Sequence, residues 1–135
     1  MLGDLLSELQ GEITVQRVVP GEHGLGPSME SSFRATGQML GVDVRDTGTY
    51  RARMRADGTL QGRGQGITMS ATGDSLTWEG FGLGRFNDDG SISWRGSLVF
   101  TSDSPKFAEL RGLVGVFEWE TEQSGKAAGK IWAWM

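Results

Sequence analysis

The sequence contains no cysteine and a single histidine, His23. The absence of cysteine excludes disulfides, thiolate zinc sites, iron–sulfur clusters and a cysteine nucleophile. One histidine also excludes the usual multi-imidazole metal sites, so we predict neither a metal nor a cofactor. No apolar run approaches the ~20 residues of a membrane helix, and the first residues lack the basic start and apolar run of a signal peptide. We therefore expect a cytoplasmic protein with no membrane partner.

The charge balance is acidic, with 17 Asp and Glu against 13 Lys and Arg and a pI near 5.0. This balance argues against a protein whose main partner is the phosphate backbone of a nucleic acid. The 135 residues show no linker and no charge block, and their number suits one domain. We predict a single domain over residues 1–135.

Glycine is abundant, with 22 residues, yet it follows neither a collagen period nor a low-complexity pattern. Some glycines lie in short polar segments that are typical of hairpin turns. Others recur at every second position of apolar segments, a period that belongs to strands. These alternating glycines are Gly62, Gly64, Gly66, Gly80, Gly82 and Gly84.

The turn signals divide the chain into segments that are long for strands, as tilted strands of a closed sheet would be. We predict an all-β, eight-stranded antiparallel up-and-down barrel with strands near 11–19, 28–40, 42–55, 59–70, 75–87, 91–101, 113–122 and 126–134. Leucines at helical spacing over 2–9 predict a short N-terminal helix within a lead-in over 1–10. Residues 103–111 predict one helical turn, with Ser104 as its cap and Pro105 at its first position.

Three-residue hairpin loops fix which residues face each other. Counting back from each turn places apolar or small residues on one face of the sheet and polar residues on the other. A register slip of one residue would mix the two sets. The pairs predicted in this way include Tyr50–Gly64, Gly64–Gly82, Gly84–Trp94, Phe117–Ile131 and Trp119–Gly129.

The inner face then has a patch of glycines flanked by aromatic rings. One interpretation is structural: glycines let strands coil and let rings lie over bare backbone. The other is that the missing side chains leave room for a flat apolar ligand. The predicted ligand-binding residues are Tyr50, Gly64, Trp78, Gly82, Trp94, Phe117 and Trp119. The competing packed barrel has no pocket, its lumen being filled by Met54, Leu60, Leu76, Phe86, Ile92, Leu98 and Phe117.

Chemical candidates are few. The alternating glycines lack the G-x-G-x-x-G spacing of a phosphate loop. The row Arg51, Arg53 and Arg55 faces outward, as a solvated face or an anion site, and the loop residue His23 is predicted to be solvated. Glu118 is the one weak catalytic candidate, because apolar neighbours could desolvate its carboxyl group.

The simpler reading of Glu118 is a surface ion pair with Lys130, its predicted cross-strand partner, and another joins Glu122 to Lys126. No Ser–His–Asp arrangement can be argued from spacing.

The outer face carries more apolar residues than a monomer needs, which indicates an interface or a bulge that turns part of a strand inward. We predict a homo-oligomer. The surface is formed by Ile67, Met69, Phe81, Leu83, Val99, Trp132 and Trp134, with Val114 and Val116 beside the last two.

The glycine runs and the segment Phe107-Ala-Glu-Leu-Arg-Gly-Leu-Val-Gly-Val-Phe-Glu118 together resemble the allene-oxide-cyclase-type barrels, relatives of calycins that include small bacterial proteins of unknown function. The residues that match are Phe107, Leu110, Gly112, Gly115 and Phe117. The resemblance implies a barrel, oligomerisation and an apolar cavity, in which the plant cyclases close an epoxide by confinement; no functional residue is carried over. We expect a barrel that binds an apolar or lipid-like molecule, with cofactor-free cyclisation or isomerisation as an extension. The alternative is a non-catalytic oligomeric scaffold.

Overall fold

A computed structural model describes residues 2–135; Met1, the first residue of the predicted lead-in, lies outside the described residues. The chain forms a closed antiparallel barrel in which each strand pairs with its neighbours in sequence and the first strand pairs with the last. The strands are β1 (Leu2–Val19), β2 (Ser28–Met39), β3 (Val42–Met54), β4 (Leu60–Ser70), β5 (Ser75–Phe86), β6 (Ile92–Thr101), β7 (Val114–Thr121) and β8 (Lys126–Trp134). The predicted barrel is confirmed.

The predicted N-terminal helix is wrong, because residues 2–9 are the first half of β1. Closing the barrel requires a partner for β8, and β1 supplies it between Leu2 and Glu12. The β1–β8 ladder shifts register twice, between Leu2 and Leu5 and between Leu5 and Ser7. These irregularities interrupt the alternation of inner and outer residues, so the leucines of a strand fall at the spacing of a helix.

The hairpins place the predicted inner face inside. Tyr50 pairs with Gly64, Gly84 with Trp94 and Trp119 with Gly129, as predicted.

The β4–β5 register is wrong by two residues: Gly64 pairs with Gly80, not with Gly82. The turn spans 71–73 and ends in Gly73, whose φ of +90° suits the left-handed third position of the loop. A shift of two leaves every side chain on its face.

The two ends of the barrel differ. A 3-10 helix, η1 (Pro105–Leu110), covers one end, and its Phe107 and Leu110 are fully buried. The predicted helical turn is confirmed with Pro105 in its first turn, but the Ser104 side chain does not cap it; its hydroxyl accepts the Ser75 N–H instead. Within residues 2–135, no helix has both the length and the apolar character to cross a membrane.

The opposite end is reached by β1, β3 and β5 as they finish and by β2 and β4 as they begin. Large apolar side chains are exposed there, and at the covered end η1 buries its own Phe107 and Leu110, although Leu2 and Trp134 remain exposed. The exposed ones at the opposite end are Val18, Met29, Met54 and Phe86. The barrel is therefore covered by η1 at one end and exposes apolar side chains at the other.

Candidate functional site

Tryptophan rings pack directly against the backbone of several inner glycines. A Cβ added to Gly66 would lie 2.5 Å from the Trp78 ring, and one added to Gly48 would lie 2.7 Å from it. The Trp94 ring occupies the same space over Gly62 at 2.6 Å and over Gly84 at 3.0 Å. These glycines support the structural interpretation, since any other residue would displace a ring.

Gly64 and Gly80, which pair across β4 and β5, have no ring over them. The atoms nearest to a Cβ on Gly80 are Ser97 O at 3.3 Å and Leu98 Cβ at 3.4 Å. For Gly64 they are the Cβ of Tyr50 at 2.8 Å and the Thr49 carbonyl oxygen at 3.0 Å. Both glycines border an internal cavity of about 90 Å³. The space that the ligand interpretation requires is therefore the cavity itself, since a Cβ on Gly64 would already lie too close to Tyr50.

The cavity wall contains every residue predicted to bind a ligand: Tyr50, Gly64, Trp78, Gly82, Trp94, Phe117 and Trp119. Leucine, isoleucine, phenylalanine and further glycines complete most of it. Phe33 packs between the rings, with centroids 4.7 Å from Trp119 and 6.2 Å from Trp78. The wall is hydrocarbon and aromatic surface, as small-molecule sites usually are.

Two buried donors in this wall have no partner. Within the described residues, the Nε1–H groups of Trp94 and Trp119 are inaccessible to solvent and meet no hydrogen-bond acceptor. Burial raises the pKa of the neighbouring Tyr50 hydroxyl, and the Trp119 and Ser31 side chains near its oxygen oppose that rise. The Trp119 N–H lies near this oxygen without meeting hydrogen-bond geometry.

A buried carboxyl group that we did not predict lies on β3. Asp46 is 5% exposed, and its Oδ1 accepts hydrogen bonds from Trp78 Nε1 at 2.9 Å and Thr68 Oγ1 at 3.1 Å. Desolvation raises the pKa of Asp46 to about 6, although the hydrogen bonds from Trp78, Thr68 and the Thr47 backbone lower it. The indole of Trp78 reaches Asp46 by crossing the bare backbone of Gly66 on β4. Strict alternation back from Tyr50 would have placed Asp46 inside.

Glu118 borders the cavity, but its carboxylate is 46% exposed on the outer face and lies 3.7 Å from Arg95 Nε. Its cross-strand neighbour is Lys130, as predicted. Lys130 forms its ion pair with Glu8 at 3.5 Å instead. The weak catalytic candidate is thus an exposed charge in an ion pair with an arginine.

The arginine row lies outside as predicted. Arg51 Nε contacts the Glu30 carboxylate at 3.2 Å, and Arg17 contacts the same carboxylate at 2.9 Å. His23 is exposed in the β1–β2 loop with a φ of +51°. Within residues 2–135, no three His, Asp or Glu side chains are grouped as a metal site.

Neither the family models nor the curated proteins contain a match to this chain. Two solved structures are similar over 98% of this chain and 97% of their own. One is a protein of unknown function from Clostridium acetobutylicum, with a TM-score of 0.82 and 11% identity. The other is a conserved protein of unknown function from Rhodopseudomonas palustris, with a TM-score of 0.81 and 12% identity. The chain thus has the fold of eight-stranded β-barrel proteins whose function is unknown.

Proposed function

We propose that the barrel binds a small apolar molecule in its internal cavity. The observation that carries this proposal is the apolar cavity beside Gly80, over which no aromatic ring lies. A single buried water needs about 10–15 Å³, so a cavity of about 90 Å³ has room for a small organic molecule. The aromatic wall favours an apolar molecule over an ion, since a charge would lose its hydration there.

We propose that the ligand enters past the apolar side chains exposed at the end opposite η1. Met54 and Phe86, which a packed barrel would place in the lumen, are 57% and 52% exposed. Leu60, Leu76 and Leu98 are buried, but they leave the cavity beside Gly80 empty. These positions favour a binding barrel over a solidly packed scaffold.

The allene-oxide-cyclase resemblance extends the same proposal to catalysis. Cyclisation or isomerisation by confinement would use the cavity wall alone and would not require Glu118, whose carboxylate faces outward. We place binding first, because the shape and lining of the cavity argue for binding directly. Turnover of a bound apolar epoxide would establish the catalytic extension.

Substituting Gly80 tests the binding function. The Gly80→Val side chain would enter the cavity, so we expect methylenecyclohexane, a small uncharged hydrocarbon, to lose at least about tenfold in affinity, since each 1.4 kcal/mol is a factor of ten. Binding to the wild type is followed by NMR shifts of the indole N–H protons.

The matched control is Gly26→Ala, where nothing lies within 4 Å of an added Cβ; it should bind like the wild type. If the wild type does not bind methylenecyclohexane, or if the Gly80→Val variant binds it equally well, the cavity is not a binding site for such molecules.

We also propose self-association through the outer apolar surface, because large apolar side chains remain exposed there. Phe81 is 44%, Val99 49% and Trp134 61% exposed. Leu5, which lies in the segment predicted to be helical, extends the same surface, since it pairs with Trp132 on β8. Contiguous exposed apolar patches of this kind are typical of interfaces.

Sedimentation velocity tests the assembly. We expect the wild type to sediment as an oligomer and the Phe81→Lys/Val99→Lys variant as a monomer at equal micromolar concentration. Val15→Lys changes an exposed apolar residue, on β1, outside the proposed surface and should remain oligomeric. A monomeric wild type, or a variant that assembles unchanged, would contradict this interface.

A further inference from the structure

We infer that Tyr50 is a gate residue, whose ring closes the cavity toward the end opposite η1 and turns aside when a ligand passes. This inference rests on the proposed binding function and adds the control of access to the same site. Its basis is the arrangement of aromatic rings where the cavity wall stops on that side.

The cavity wall stops on every strand before the strand reaches the end opposite η1. Each strand has one inward-facing residue that is the last to line the cavity in that direction. These eight residues are Leu9, Phe33, Tyr50, Gly62, Gly82, Trp94, Trp119 and Gly129. The next inward positions, Ala52 on β3 and Ile92 on β6 among them, are not in the wall. The cavity is therefore closed inside the barrel, below the exposed apolar side chains.

Aromatic rings form most of this closure. The Trp94 ring covers glycines of β4 and β5, and the Trp119 ring covers Gly129, where an added Cβ would lie 2.5 Å from it. Tyr50 lies between them, with ring centroids 5.7 Å from Trp94 and 6.3 Å from Phe33. Phe33 in turn lies 4.7 Å from Trp119. Four rings in series thus separate the cavity from the end at which we propose that ligands enter.

Tyr50 is the ring of this series with room to move. Trp94 and Phe33 are each only 4% exposed, and Trp119 lies directly on the backbone of β8. Tyr50 is half-buried, and the next inward residue on its strand toward the entry end is Ala52, which is also partly exposed. A single methyl group at that position lets the phenol ring turn outward over it.

Polar partners of the Tyr50 hydroxyl hold the closed position. Ser31 pairs with Tyr50 across the β2–β3 ladder, is 3% exposed, and lies with its side chain near the phenol oxygen. Gln16 Nε2 donates to Ser31 Oγ at 3.0 Å, so the Ser31 hydroxyl hydrogen is left to donate to Tyr50. The gate therefore opens at the cost of this contact.

Two conservative substitutions test the gate. Tyr50→Phe keeps the ring and removes the hydroxyl, whereas Ser31→Ala removes the partner of that hydroxyl. We expect each variant to raise both the association and the dissociation rate constant of methylenecyclohexane about fivefold, a typical net effect of one hydrogen bond. The dissociation constant should stay nearly unchanged, because the hydrocarbon surface of the wall is the same. NMR relaxation dispersion of the Leu98 and Ile131 methyl groups, which line the cavity, gives these rates.

Two controls accompany these variants. Ser32→Ala is matched to Ser31→Ala, since Ser32 is the next residue on β2 and its hydroxyl is hydrogen-bonded to Thr49 at 2.8 Å rather than to Tyr50. Met54→Ala shortens a side chain that is 57% exposed beyond the rings. Both should exchange the probe at the wild-type rate.

A ligand-free measurement gives a second readout. Tyr50 is the only tyrosine in the sequence, so selective ¹³C labelling of tyrosine reports on this ring alone. We expect the ring motion of the empty protein to be faster in Ser31→Ala than in the wild type and in Ser32→Ala. Equal ring motion in all three proteins would overturn the gate.

The binding experiment separates the gate from the proposed function. If the wild type binds methylenecyclohexane, but Tyr50→Phe and Ser31→Ala exchange it no faster, Tyr50 does not control access and the binding function stands. If Met54→Ala accelerates exchange as much as they do, the exposed side chains limit entry and the gate is again wrong. If the wild type does not bind the probe, the proposed function fails and the gate with it.

Discussion

Asp46→Asn is expected to stabilise the protein at pH 7 by about 3 kcal/mol, and by less than about 1 kcal/mol at pH 4. The reason is that burial raises the pKa of Asp46 from 3.8 to about 6. The folded protein therefore holds a proton that the unfolded chain releases, and ionisation of the carboxyl group weakens the fold. The loss of stability accumulates as the pH rises from about 4 to about 6 and then remains constant.

Asparagine keeps the shape of Asp46 and retains an oxygen that accepts from Trp78 and Thr68, without the charge. The free energy of unfolding, measured by urea denaturation between pH 4 and pH 8, gives the difference between variant and wild type. Asp43→Asn, at an exposed position of the same strand, removes an equal charge and should not show this pH-dependent gain. A variant that is less stable than the wild type at pH 7 would mean that the hydrogen bonds to the carboxylate outweigh its desolvation.

The inner face of the barrel could be predicted from the sequence because the length of each hairpin loop determines the register of the two strands that it joins. A three-residue loop that ends in glycine determines the opposing pairs by counting, and alternation then separates inner from outer residues. The alternation predicts that Tyr50 and Trp94 face inward, and both lie in the wall of one cavity. The single wrong register, at Gly73, moved partners by two positions and left the face intact.

Features that depend on contacts between distant segments could not be predicted. The leucines of β1 have the spacing of a helix, and only pairing with β8 makes them a strand. Burial raises the pKa of Asp46, and its hydrogen bond with Trp78 requires the indole to cross from β5 over β4. The unpaired N–H of Trp94 is equally invisible in the sequence, because it depends on where every neighbouring acceptor lies.

Gly66→Ala is expected to destabilise the protein by about 3 kcal/mol, the upper part of the usual range for overpacking. A Cβ at this position would lie 2.5 Å from the Cε2 and Cζ2 atoms of Trp78 and 2.6 Å from its Nε1. The ring cannot simply move away. It already fills the space that a Cβ on Gly48 would occupy, and its Nε1–H is hydrogen-bonded to Asp46. Displacing it would leave the buried carboxyl group without its best donor.

Gly80→Ala is the matched control, since its Cβ would meet no ring and its nearest atom is Ser97 O at 3.3 Å. We expect it to change the free energy of unfolding by less than about 1 kcal/mol, because alanine also removes the entropic cost of glycine in a strand. In a Trp78→Leu background the ring atoms that oppose the new methyl group are gone, so Gly66→Ala should cost much less than in the wild type. Equal costs in the two backgrounds would show that Gly66 is required for strand coiling rather than for the passage of the Trp78 ring. A lower cost in the second background would instead show that Gly66 is required because the Trp78 side chain of β5 packs over it to reach Asp46 on β3.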